Sequence, residues 1–144
     1  MKSMTASLAL LVVLAATACQ PGPSPEPRDG VFVHITHAEN DAHRLLMGLN
    51  MAAMMADQHD VLVYFDVDGV QAVLNDAADV TYAHFPSSHT QIAVLREKGV
   101  TLMACPGCLK AAGRSSDDLA EGVQPANREA FFSFTRGRIL TLDY

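Results

Sequence analysis

Two patterns of apolar and polar positions alternate along the chain. Short, nearly continuous apolar runs recur at Val31 to Thr36, Val61 to Phe65, Val100 to Ala104 and Ile139 to Leu142. Runs of this length, rich in β-branched residues, suit strands buried on both faces of a parallel sheet. Between the first two runs, Ala42, Leu45, Leu46, Leu49, Ala52, Ala53 and Ala56 fall at helical spacing, with Asn40 or Asp41 able to cap the start. Asp68-Gly69 turns the chain into a short helix carrying Val70, Val73 and Leu74. A helix from Thr90 to Lys98 stops at Gly99, and another runs from Pro106 to about Ala112 and stops at Gly113. Val80 to Phe85 suggests a short strand, and Asn127 to Arg136 a last helix. Apolar strands alternating with amphipathic helices predict an α/β domain with a mostly parallel sheet of four or five strands. Ligands of such sheets sit beyond the carboxyl ends of the strands. The chemistry is therefore sought at Thr36-His37, at Asp66-Val67-Asp68 and at Cys105.

The first residues follow a different pattern. Lys2 precedes an apolar stretch from Leu8 to Ala16, then small residues, then Cys19. That stretch is too short to span a bilayer, which takes about 20 apolar residues, and it reads as an export signal over residues 1–18. The placement of Cys19 resembles a bacterial lipoprotein signal, which implies lipidation of that cysteine. The alternative is an ordinary signal peptide cut after Ala18. Residues 19–30 follow as a linker, with four prolines between Gln20 and Pro27, suited to an extended spacer. The folded domain is expected over residues 31–144, in the cell envelope, lipid-anchored and facing the periplasm. Gln20 stands where enteric bacteria use Asp for inner-membrane retention, which leans to the outer membrane.

Composition narrows the function. The 144 residues carry 10 Lys+Arg against 16 Asp+Glu, a formal charge of −6. With no basic cluster, a nucleic-acid surface is disfavoured. No Walker-type lysine or phosphate-cradling glycine loop accompanies Asp66 and Asp68.

The strongest chemical signal is Cys105-Pro106-Gly107-Cys108, directly after a strand and at the start of a helix. With Cys105 as N-cap, Pro106 occupies the first helical position, where its missing N–H costs nothing. The Cys105 sulfur then lies near free backbone N–H groups, which favour the thiolate. The spacing also permits a disulfide, though one closing so small a loop constrains the unfolded chain little. One Cys-x-x-Cys supplies only two zinc ligands, so no metal is assigned.

Several segments together resemble the DsrE/DsrF-like sulfur-relay family. They are Val61 to Val70 with Asp68-Gly69-Val70, Lys98-Gly99-Val100, Cys105-Pro106-Gly107-Cys108-Leu109-Lys110-Ala111-Ala112-Gly113 and Asp117 to Val123. The resemblance implies a flavodoxin-like three-layer sandwich, often assembled as trimers or hexamers. It also implies a cysteine at this strand end that carries sulfur as a persulfide between partners. That role maps onto Cys105, with Cys108 resolving or protecting it and no cofactor required. The implied partners are a sulfur donor or acceptor protein, or a small sulfur compound.

His37, Asp68 and His89 are supporting candidates. His37 ends the first strand, and His84 and His89 flank a loop that could cover the cysteines. His34, in mid-strand, reads as a hydrogen-bonded core residue. Met47, Met51, Met54 and Met55 stripe the first helix and read as gap-fillers or interface residues. With the cysteines and histidines they leave a soft-metal, copper-binding module as one alternative function. A thiol–disulfide oxidoreductase is the other.

Overall fold

The computed structural model describes residues 26–144. The signal reading for 1–18, Cys19 and most of the proline-rich linker lie outside the described residues.

Five strands form one all-parallel sheet in the order β4-β3-β2-β1-β5: β1 Gly30–Ile35, β2 Asp60–Phe65, β3 Thr101–Ala104, β4 Val123–Pro125 and β5 Ile139–Asp143. Four helices connect them: α1 Ala42–Met55, α2 Ser88–Glu97, α3 Pro106–Ala111 and α4 Ala130–Ser133. The α/β class and the parallel sheet expected from the sequence are therefore present.

Topology decides which face each helix covers. From β1 to β4 the chain steps one strand at a time in a single direction. Right-handed crossovers then place α1, α2 and α3 on the same face. There Val31, Val33 and Ile35 pair in register with Val61, Val63 and Phe65, and Leu102 and Ala104 extend two of those rows. Leu45, Leu46, Leu49 and Ala52 of α1 complete the core with Ile92 and Leu95 of α2 and Leu109 of α3. The return from β4 to β5 runs back across the sheet, so α4 falls on the opposite face. Phe131 of α4 packs edge-on against Phe32 and Tyr64 there, at ring distances of 5.7 and 5.0 Å.

The caps explain where the helices begin. The Asp41 side chain accepts the Arg44 N–H, and Ser87 accepts that of Thr90. After β2 the chain makes a 3₁₀ stretch over Val67–Val73. A Cβ on Gly69 would fall on the Ile35 carbonyl oxygen, so only glycine lets this turn pack against the end of β1.

Two expectations need correction, and one strand was not anticipated. Val80 to Phe85 is not a strand: the Val80 N–H bonds to Ser88 Oγ at 2.9 Å, and Ala83 takes φ 49°. The helix expected over 127–136 shrinks to Ala130–Ser133, entered from an Asn127 side-chain bond to the Ala130 N–H. β4 has no clear apolar signature, because its second and third residues, Gln124 and Pro125, are exposed at the sheet edge.

Candidate functional site

Because all five strands are parallel, their carboxyl ends lie on one edge. The ladder continues past them: the Asp66 N–H bonds to the Ile35 carbonyl (3.1 Å), and that of Cys105 to the Phe65 carbonyl (2.9 Å). These bonds align Asp66-Val67 and Cys105 side by side.

Cys105 is the N-cap of α3, with Pro106 beginning the helix as the sequence implies. Its Sγ accepts the Cys108 N–H at 3.3 Å. Cys108 Sγ in turn accepts the N–H of Val67 at 3.2 Å. Both cysteines are free thiols and half-buried.

Their surroundings set them apart. Burial raises the Cys105 thiol, but it is outweighed by hydrogen bonds from the Cys108 and Tyr64 side chains and from the Cys108 and Gly107 backbone. The net effect holds Cys105 below its ordinary value. Cys108 moves the other way: burial and its neighbour Cys105 raise it, and the Val67 N–H only partly offsets them. The two thiols are thus pushed apart, Cys105 ionising more readily than Cys108. Tyr64 is pushed well above its ordinary value, first by burial and then by Cys105, so its hydroxyl remains a donor to the sulfur.

Tyr64 is the group that sequence reasoning missed. It stands on the open face of β2 in register with Met103 of β3 and His34 of β1. The His34 ring stacks on it with centroids 5.7 Å apart and 20° between planes. His34 is half-exposed, with one ring nitrogen on Asp66 and the other on Asp143. Alternation along β2 separates Tyr64 from Val63 and Phe65, but only the register brings it beside His34.

The three supporting candidates bond elsewhere. His37 Nδ1 lies 2.8 Å from Thr36 Oγ1. Asp68 accepts Asn40 Nδ2 at 2.9 Å and borders a cleft of about 490 Å³. That cleft is also lined by Glu39, Asp76, Val80 and Arg114, and neither cysteine reaches it. His89, in the first turn of α2, meets the Ala77 carbonyl (3.1 Å) and Asp79, while His84 stacks on Phe85, so both engage the loop before α2. On α1, Met55 packs against the core, whereas Met47 and Met54 are exposed. No group of three or more His, Cys, Asp or Glu able to hold a metal occurs among the described residues.

Fold and site together define an α/β protein with a differentiated thiol pair at the carboxyl edge of a parallel sheet. The chain belongs to the DsrE/DsrF-like family, whose model matches residues 29–135. Solved structures share the fold. The YchN protein of E. coli is similar with a TM-score of 0.63 and 18% identity, over 80% of this chain and 99% of that one. MTH1491 of Methanobacterium thermoautotrophicum, a protein of unknown function, gives 0.56 and 23% over the same shares. No curated protein matches the chain.

Proposed function

We propose that the protein carries sulfane sulfur as a persulfide on Cys105. The observation that carries this reading is the place of Cys105 at the N-cap of α3, its Sγ accepting the Cys108 N–H at 3.3 Å, a setting that holds its thiol below the ordinary value. A sulfur carrier needs a thiolate nucleophile at neutral pH, and the same donor suits the anionic outer sulfur of a persulfide. Family membership supports the sulfur-relay reading.

The chemistry balances with a donor such as thiosulfate or polysulfide. The Cys105 thiolate attacks the outer sulfur, a new S–S bond forms, and the donor's S–S bond breaks. Sulfite or the shortened polysulfide leaves with the electron pair. An acceptor thiolate then attacks the outer sulfur and Cys105 departs as thiolate. Cys108, which keeps its proton longer, is the resolving group. Its attack on Cys105 Sγ releases hydrosulfide and leaves a disulfide, which an external dithiol must reduce.

Incubation with polysulfide, followed by intact-mass spectrometry, is expected to add single sulfur masses in the wild type and in Cys108→Ala, where the adduct persists longer. Cys105→Ala should take up none. An unchanged adduct in Cys105→Ala removes the proposal.

The reading extends to place and partners. We take the protein to be exported and lipid-anchored through Cys19, facing the periplasm, with a sulfur-donating or sulfur-accepting protein or small sulfur compound as partner. A second copy of the chain is the proposed occupant of the β5 edge, where Ile139 and Leu140 are exposed. Sedimentation should show an oligomer that Leu140→Lys weakens; a wild-type monomer at micromolar concentration contradicts it.

A thiol–disulfide oxidoreductase is the second reading, favoured by the two cysteines sharing the first turn of α3, with the Cys108 N–H on Cys105 Sγ. It predicts catalysed exchange with small disulfides and no retained sulfur mass.

A further inference from the structure

His34 touches neither sulfur, yet it is the most constrained titratable group near them. Its Nε2 lies 2.8 Å from Asp66 Oδ1 and its Nδ1 lies 2.9 Å from Asp143 Oδ1. A neutral imidazole has one N–H and could serve only one of these carboxylates; the doubly protonated ring serves both. Burial lowers the pKa of His34, but the bonds to Asp143 and Asp66 outweigh it and raise it overall.

Both neighbours of His34 lead to the thiols. Asp66 precedes Val67, whose N–H holds Cys108 Sγ, and the carboxylate's charge opposes ionisation of Cys108 and of Tyr64. Tyr64 lies stacked on the His34 ring, and its hydroxyl is among the groups that lower the Cys105 thiol. The groups facing His34 are Tyr64 from β2 and Asp66 just past it, Asp143 from β5 and Phe32 of its own strand. From α4, Phe131 closes over Tyr64. A carboxylate close to a thiol that must ionise is unfavourable unless a cation cancels it.

We infer that His34 is a positioning residue for the thiol pair. Clamped between Asp66 and Asp143, its imidazolium cancels the carboxylate that borders Cys108 and seats Tyr64 against Cys105. The reactivity of Cys105 is thereby set from the neighbouring strand. This takes from the sulfur-carrier reading only that Cys105 is the reacting thiol, and its test uses no sulfur donor.

The test is the rate at which iodoacetamide alkylates Cys105 in the full chain, read peptide by peptide across pH. In His34→Gln the alkylation midpoint should move to higher pH. The rate near pH 6.5 should fall about three- to tenfold, as expected for up to one pKa unit. In Asp66→Asn the carboxylate is gone, so adding His34→Gln to it should change the rate less than about twofold. Asp143→Asn supplies an independent arm if the His34 variants fold poorly. With one clamp lost the ring gives up its proton at lower pH than in the wild type, so the rate should fall increasingly below the wild-type profile as pH rises. An equal loss from His34→Gln with and without Asp66, or wild-type profiles in both His34→Gln and Asp143→Asn, overturns the inference. Persulfide uptake could fail on its own while this cycle succeeds, so the two proposals fail separately.

Discussion

At the scale of single residues, Val67 and Ala83 are the non-glycine residues with positive φ among the described residues, and Val67 is the β-branched one. It adopts φ 48° although β-branched, and it is 61% exposed. A left-handed conformation at such a residue costs of order 1–3 kcal/mol. The strain coincides with the one backbone N–H that reaches Cys108. Val67→Gly should relieve it. Against that stands glycine's extra unfolded-state entropy of about 0.5–1 kcal/mol, so a net gain of about 1 kcal/mol in urea denaturation is expected. A loss instead would mean that the valine side chain contributes contacts of its own. Tyr64→Phe should leave the fold intact and slow Cys105 alkylation severalfold, because one donor to the sulfur disappears. His34 also links stability to pH. Its folded pKa is raised, so its contribution is fully present below the unfolded value of about 6.5 and is lost as pH rises through the folded value. Denaturation midpoints followed upward from about pH 6 should decline in wild type, and more weakly in His34→Gln.

Elements differ in how openly the sequence declared them. Asp41 before α1 and Cys105-Pro106 before α3 were readable because capping depends on residues a few positions apart. β4 and α4 were not, since three or four residues carry too little periodicity to separate from loop. Tyr64 fell between these cases. Its strand was plain, but its role depends on the β2–β3 register, which no local pattern encodes. α4 is the thinnest layer, and on it Phe131 is half-buried against Phe32 and Tyr64 while Phe132 is 76% exposed. Full burial of a Phe makes truncation cost about 3–5 kcal/mol. For half-buried Phe131→Ala, about 2 kcal/mol is expected by thermal or urea unfolding, with Cys105 alkylation altered as Tyr64 loosens. Phe132→Ala should be nearly neutral in stability; a comparable loss would show that its ring is covered in solution.

The whole molecule was legible as a class but not as an arrangement. Continuous apolar strands with intervening helices implied the parallel sheet and placed Cys105 at its carboxyl edge. What they could not give was strand order, and with it the meeting of His34 of β1, Asp66 just past β2 and Asp143 of β5. That order has a further consequence. β1 is an inner strand, flanked by β2 and by β5, and Gly30 pairs with Ile139 across nearly the whole length of the domain. Such distant pairing raises contact order and slows folding. The sheet cannot close until residues 139–143 have been made, and until then β1 has only one neighbour. A nascent chain therefore carries the outer edge of β1 unpaired until its last strand arrives, the interval in which it is open to edge-to-edge association.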